Sequence, residues 1–282
     1  METNFEKQSV DREFIKKLNE KAKKSLKEYS ISMDDFIDYG EENIKKDNEL
    51  IARLKEKHQK ENSSEEKGAK ILADILEAII LEESELSNWL GENTSTIKAS
   101  DYDDYVNGID AIIEFEEETT TNHVALGIDA TFSKDIHKKF DRIKKEIEDG
   151  VLAEAKYFSS SFIKGRHKQI PRLVIGADVK TIKELGELWL DKDSQTEGRK
   201  GEVKKALEKH PMQFQILKQM IIEAEAFKHY SEKIKQTEIA GIYEKLGNII
   251  KKIYDRKRQQ QKDAGIYDDM FGIIKDNLKS FG

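Results

Sequence analysis

The chain has 282 residues, 37% of them hydrophobic and 37% charged, with a formal net charge of −7. Globular chains are usually about 45–50% apolar and about 25% charged, so much of this one must be solvated surface around a core confined to part of its length. The absence of Cys excludes disulfides and thiolate metal ligands, and no apolar run approaches the roughly 20 residues that a membrane-spanning helix needs.

The opening run Met1-Glu2-Thr3-Asn4-Phe5-Glu6 lacks the basic and apolar segments of a signal peptide, so the expected location is cytoplasmic. Only 2 Pro and 16 Gly favour helices over a loop-rich sandwich. Charge is uneven. Acid dominates before residue 134, residues 134–172 are net basic, and the remainder is nearly balanced. The acidic whole argues against non-specific coating of nucleic acid, while a local basic segment suits phosphate at one place.

Residues 1–62 predict two or three amphipathic charged helices. Phe14, Leu18 and Ala22 recur at helical spacing, and Ile44, Leu50, Ile51 and Leu54 do so more loosely. Ser32 with Asp35 three positions on resembles a helix start. A more apolar helix follows from Ser64 to Glu83, with Ala69, Leu72, Ala73, Leu76, Ile79 and Ile80 on one face. Glu66 and Glu77 lie about three turns apart on one edge of it.

Residues 110–116 and 123–131 are rich in strand formers, and Thr119, Thr120, Thr121 and Asn122 between them suit an antiparallel hairpin. A helix is expected over 134–149, with Ile136, Phe140, Ile143 and Ile147 inward and Gly150 as its stop. Strands are expected at 152–158 and 172–177, then a helix over 181–190. The order helix, hairpin, helix, strands is an α/β signature. Residues 63–195 are therefore read as an α/β core, and 196–282 as a C-terminal helical region beginning near Gly198 and Gly201.

Asp110 starts the first hairpin strand and Asp129 lies near the end of the second. One register sets Asp110 opposite Asp129. The other sets it opposite Thr131, with Asp129 one diagonal away. Either keeps both carboxylates on one face. Carboxylates that close repel unless a cation or proton intervenes, and hard oxygen ligands suit Mg²⁺ or Mn²⁺.

The run Asp103-Asp104-Tyr105-Val106-Asn107-Gly108-Ile109-Asp110, followed by Leu126-Gly127-Ile128-Asp129-Ala130-Thr131, resembles the PD-(D/E)xK nuclease superfamily core over roughly residues 64–190. The resemblance implies a PD-(D/E)xK-like mixed sheet core flanked by charged helices at both ends. It makes Asp110 and Asp129 metal-binding and catalytic, and either Glu66 or Glu77 the helix carboxylate that joins the metal. Thr131 stands where that family has Lys, whose charge stabilises the transition state in a way a hydroxyl fills poorly. Members of the superfamily sometimes supply this Lys from another element. Lys156 is the first candidate here and Lys134 the second.

DNA or RNA is the implied partner. Its phosphates would be met by Lys138, Lys139, Arg142 and Lys145 on the basic helix and by a loop holding Lys164, Arg166 and Lys168. Two other readings compete: a catalytically inactive binding or scaffold module of the same fold, and a helical protein-interaction protein. No phosphate-binding Gly loop and no Gly-x-Ser-x-Gly elbow is present. His137 and His167 lack partners at metal-ligand spacing.

Overall fold

Two long charged helices lead the chain, α1 (Asn4–Tyr29) and α2 (Glu41–Glu61), separated by short 3-10 turns at Met33–Asp35 and Ile37–Tyr39. Then come α3 (Ser64–Leu86), β1 (Thr94–Lys98), α4 (Asp101–Tyr105), β2 (Ala111–Glu116), β3 (Thr121–Ala130), α5 (Ile136–Asp149), β4 (Ala153–Ser159), β5 (Lys164–Ile170), β6 (Arg172–Ala177) and α6 (Val179–Asp191). The chain closes with α7 (Glu197–Glu208), α8 (Met212–Lys233), α9 (Thr237–Gln260) and α10 (Asp269–Leu278). This computed structural model describes residues 4–61, 63–116, 121–130, 136–161, 163–193, 196–265 and 267–282, with β3 given by its backbone. Thr131 and Lys134 lie outside the described residues, as does the side chain of Asp129. No helix among the described residues is long and apolar enough to cross a membrane.

The architecture is α/β. One sheet has the strand order β1-β2-β3-β6, and β4 pairs with β5 as a separate hairpin. The first three strands form an antiparallel meander, and β6 runs parallel to β3. The hairpin expected at 110–131 is there, but shifted. β2 ends at Glu116 and β3 resumes at Thr121, two residues earlier than the expected Thr119–Asn122 connection, so Ala111 pairs with Leu126. Extending that register sets position 110 opposite Gly127, with Asp129 one diagonal away. The shift is even, so alternation leaves positions 110 and 129 on one side of the sheet.

Helix α3 is started by a capping box in which Ser63 and Glu66 satisfy each other's backbone amides. Its face Leu72, Ile75, Leu76 and Ile79 is buried in the main apolar cluster, as are Leu18 and Ala22 of α1 and Phe140, Ile143 and Ile147 of α5. Each fully buried side chain of this kind stabilises by about 1.5–3 kcal/mol relative to exposure. The same cluster continues through Phe214, Leu217 and Met220 of α8 and Tyr243, Leu246 and Ile250 of α9. The other side of β2, through Ile112, meets Ala153, Ala155, Phe158 and Ile170 of the β4–β5 hairpin.

Two strands were not expected. β1 carries one large apolar residue, Ile97, and β5 alternates charge with small or polar residues. Lys164, Arg166 and Lys168 therefore lie on a strand rather than a loop, and Arg166 and Lys168 pair with Glu154 of β4. A ladder partner satisfies their backbone where apolar burial does not.

Candidate functional site

A cluster of charged side chains forms where α3, the end of β1, α4 and the entry to β2 meet. Lys98, the last residue of β1, is its centre. Its Nζ lies 2.9 Å from Glu77 Oε1, 3.0 Å from Asp104 Oδ2 and 3.0 Å from the carbonyl oxygen of Asp110. The Glu77 and Lys98 side chains are only 8% and 9% exposed, and that of Asp110 is 23% exposed. Lys139 of α5 approaches the Asp110 carboxylate at 4.0 Å. One turn before Glu77, Asp74 pairs with Lys70 at 3.3 Å.

Elementary electrostatics follows from that crowding. Burial pulls the Lys98 ammonium down, but Asp104, Glu77 and Asp110 together outweigh it and hold its pKa above the usual lysine value. Burial pushes the Glu77 carboxyl well above the usual range. Lys98 opposes this, while Asp110 and Asp104 add to it. Asp104 is raised for the same reasons: burial first, then Asp110, against the pull of Lys98. Three carboxylates around one lysine leave the site rich in negative charge that burial makes expensive.

The turn that delivers Asp110 is clamped. Arg142 Nη2 and Arg172 Nη2 each donate to the Asn107 carbonyl at 2.5 Å, and Arg172 Nη1 donates to that of Gly108. The Arg172 Nε donates to Glu146 at 3.0 Å, which fixes the guanidinium in its buried slot. Asp103, fully buried on α4, accepts from Asn107 Nδ2, Ser100 Oγ and the backbone amides of Lys156 and Tyr157. Adjacent aspartates thus serve two places: Asp103 fastens β4, and Asp104 faces Lys98.

The residues named from sequence divide accordingly. Asp110 and Glu77 come together, and the backbone of Asp129, paired with Gly176 of β6, sits on the strand beside β2. Glu66 caps the first turn of α3, about 16 Å along the axis from Glu77, so Glu77 is the helix carboxylate present in the cluster. Lys156 is a correction. Its strand belongs to the separate hairpin, and its ammonium pairs with Asp47 and lies over the rings of Tyr102 and Tyr157 at 4.7 and 5.2 Å. Lys138 and Lys145 are exposed on α5, whereas the half-buried Lys139 approaches Asp110 and the exposed Arg142 donates to the Asn107 carbonyl. Lys98, Asp104 and Asp74 were missed. The available signal was the Thr-Ser-Thr-Ile-Lys alternation after Gly91, too weakly apolar to read as a strand.

Among the described residues, no three Asp, Glu or His side chains are arranged to hold a metal ion. Comparison with protein-family models, curated proteins and solved structures gave no match.

Proposed function

We propose that this chain is a metal-dependent nuclease-like protein acting on nucleic-acid phosphodiesters, with Lys98 in the role for which the motif position holds Thr131. The observation that carries this reading is the Lys98 ammonium, buried beside Glu77, Asp104 and Asp110. The order of elements supports it: a helix bearing Glu77, a three-stranded meander whose second strand is entered through Asp110 and whose third bears Asp129, a helix, and a strand parallel to the third. The PD-(D/E)xK resemblance implies a helix, a meander, a helix and a further strand in that order.

A divalent cation fits the donor chemistry, because the Glu77 and Asp104 carboxyls, raised in pKa first by burial and then by neighbouring carboxylates, are hard oxygen donors that positive charge would relieve. Asp110 and Glu77 would hold it together with Asp129, and Mg²⁺ or Mn²⁺ would supply Lewis acidity and a more acidic bound water. Lys98 provides a fixed positive charge against a phosphate oxygen in a poorly solvated place, where such a charge counts most. The exposed Lys138 and Lys145 supply sequence-independent contact to the backbone of DNA or RNA.

The competing reading, a binding module without turnover, draws on the same lysine. Its three donors already meet three protein acceptors, as those of a purely structural lysine would. Incubation with single- and double-stranded DNA and RNA in Mg²⁺ or Mn²⁺ separates the two. The expected result is metal-dependent cleavage that Lys98→Met and Asp110→Asn each reduce by about 10²-fold or more while nucleic-acid binding persists. Binding without cleavage by the wild-type chain would favour the module, and cleavage unaffected by both substitutions would remove the site.

A further inference from the structure

The 3-10 turn at Ile37–Tyr39, the first half of α2 and the β4–β5 hairpin border an open cavity of about 460 Å³, lined by Tyr39, Asn43, Lys46, Asp47, Lys156 and Arg166. Small-molecule sites commonly span about 300–1,000 Å³. Three cations face one carboxylate here, in a chain whose overall charge is −7.

The walls divide into a fixed part and an adjustable part. Lys156 Nζ and Tyr157 Oη both donate to Oδ2 of Asp47, while its Oδ1 receives no hydrogen bond among the described residues. Burial and Asp47 push the Tyr157 hydroxyl above its ordinary pKa, so it stays a donor. The Tyr39 hydroxyl donates to the Lys156 carbonyl at 2.9 Å, and its ring packs against Phe36 and Tyr157 with centroids 5.6 and 5.3 Å away. Asn43 spends its Nδ2 on the Tyr39 carbonyl at 2.9 Å, which leaves its Oδ1 as an acceptor. A preset wall therefore offers two acceptor oxygens and an aromatic ring.

Lys46 and Arg166 are the adjustable part. Their side chains are 65% and 51% exposed, paired with Glu42 at 2.9 Å and Glu154 at 3.1 Å. Exposed ion pairs of this kind add little stability, so re-aiming either cation toward a phosphate is easily done. The forked guanidinium of Arg166 matches phosphate geometry in two parallel hydrogen bonds.

Two exposed cations, the Asp47 and Asn43 acceptors and an aromatic ring select a ligand with a phosphate at one end and hydroxyl and amino donors at the other. We propose that this cavity binds a mononucleotide, its phosphate on Lys46 and Arg166 and its hydroxyl and amino donors on Asp47 and Asn43. The proposal does not depend on the nuclease reading. α4 touches both places, through Asp104 to Lys98 and through Asp103 to the amides of Lys156 and Tyr157.

The test is calorimetric titration of the full chain with the four ribonucleoside 5′-monophosphates and, separately, ribose 5-phosphate, adenosine and inorganic phosphate. The expected result is saturable binding of at least one mononucleotide, about tenfold or more tighter than inorganic phosphate, and weakened about tenfold or more in the Lys46→Ala/Arg166→Ala double variant. Because both residues are exposed, that variant should melt with the wild type, which keeps the loss interpretable. Asn43→Ala should weaken the mononucleotide while leaving inorganic phosphate unchanged. No saturable heat from any mononucleotide up to about 5 mM, weaker than the millimolar range of the loosest specific sites, would overturn the proposal. So would equal affinity for mononucleotide and inorganic phosphate, or affinity indifferent to the double variant.

Discussion

Gly108 occupies the point at which the chain turns toward Asp110. Its φ is +60°, and a Cβ built there would lie 2.2 Å from Arg142 Nη1. Two penalties therefore attach to Gly108→Ala: left-handed backbone in a residue that disfavours it, at about 1–3 kcal/mol, and displacement of a guanidinium that helps clamp the turn. Gly265 provides the control, because its φ is +66° and a Cβ there would have nothing within 4 Å. Chemical denaturation should show Gly108→Ala more destabilising than Gly265→Ala. Equal losses would mean that Arg142 moves aside freely and does not hold the turn. Placement by neighbours, rather than residue type, also separates the aspartates at 103 and 104. The sequence run that holds them pointed to this region, yet nothing in two adjacent Asp residues says that one will face four donors and the next a lysine.

At the scale of elements, the sheet's exposed-edge problem is solved by a helix. β6 ends the strand order, and an unpaired edge is open to unwanted association. Residues 215, 219 and 223 of α8, spaced one turn apart, cover it. Glu223 Oε2 accepts from the Val174 amide at 2.7 Å, Gln219 Oε1 accepts from that of Gly176 at 3.3 Å, and Gln219 and Gln215 both donate to the Gly176 carbonyl. Glu223 is fully buried, and burial raises its pKa well above the usual carboxylate range, opposed only by the Val174 amide. The folded state thus keeps the proton to higher pH than the unfolded chain does. Its contribution is fully present below the unfolded carboxylate value, and is lost as pH rises through the folded one. Glu223→Gln keeps an acceptor for Val174 without a titrating proton, so its stability relative to wild type should rise as pH increases above the unfolded carboxylate range. Melting curves with a constant difference as pH increases would show that Glu223 does not titrate with folding. Glutamine and glutamate on an otherwise apolar stripe offer no sign in sequence that a strand edge awaits them. By contrast, α3, α5 and α6 were legible within a few residues because one face of each is continuously apolar. β1 and β5 were not, since their backbones are satisfied by ladder partners and their side chains are mostly wet or polar. Missing β1 hid Lys98. Reading residues 152–158 without knowing that they pair with β5 outside the main sheet made Lys156 the substitute instead.

Across the whole molecule, the main apolar cluster passes from α1 and α3 through the sheet into α7, α8, α9 and α10 without a break at residue 195. Polar contacts cross the same point. Trp89 Nε1 donates to the Leu207 carbonyl at 2.8 Å, and the β6 amides depend on α8. A chain ending at residue 195 would lose the edge cover of β6 and expose the side of the core now met by Phe214, Leu217, Met220 and Phe227, each less than 3% exposed. Burial on that scale sets cooperativity, because elements that share one core cannot unfold separately without exposing it. The full chain should therefore unfold in a single transition, with coincident midpoints from circular dichroism and from fluorescence of Trp89 and Trp189, which lie in different parts of that core. Residues 1–195 alone should show helical content without a cooperative melt and should bind a hydrophobic dye, the behaviour of a chain that keeps backbone structure but loses fixed packing. A truncated chain that melted cooperatively within about 3 °C of the full one, a difference of about 1 kcal/mol in a domain of this size, would instead make the C-terminal helices an independent unit. The candidate site would then stand on residues 1–195 alone.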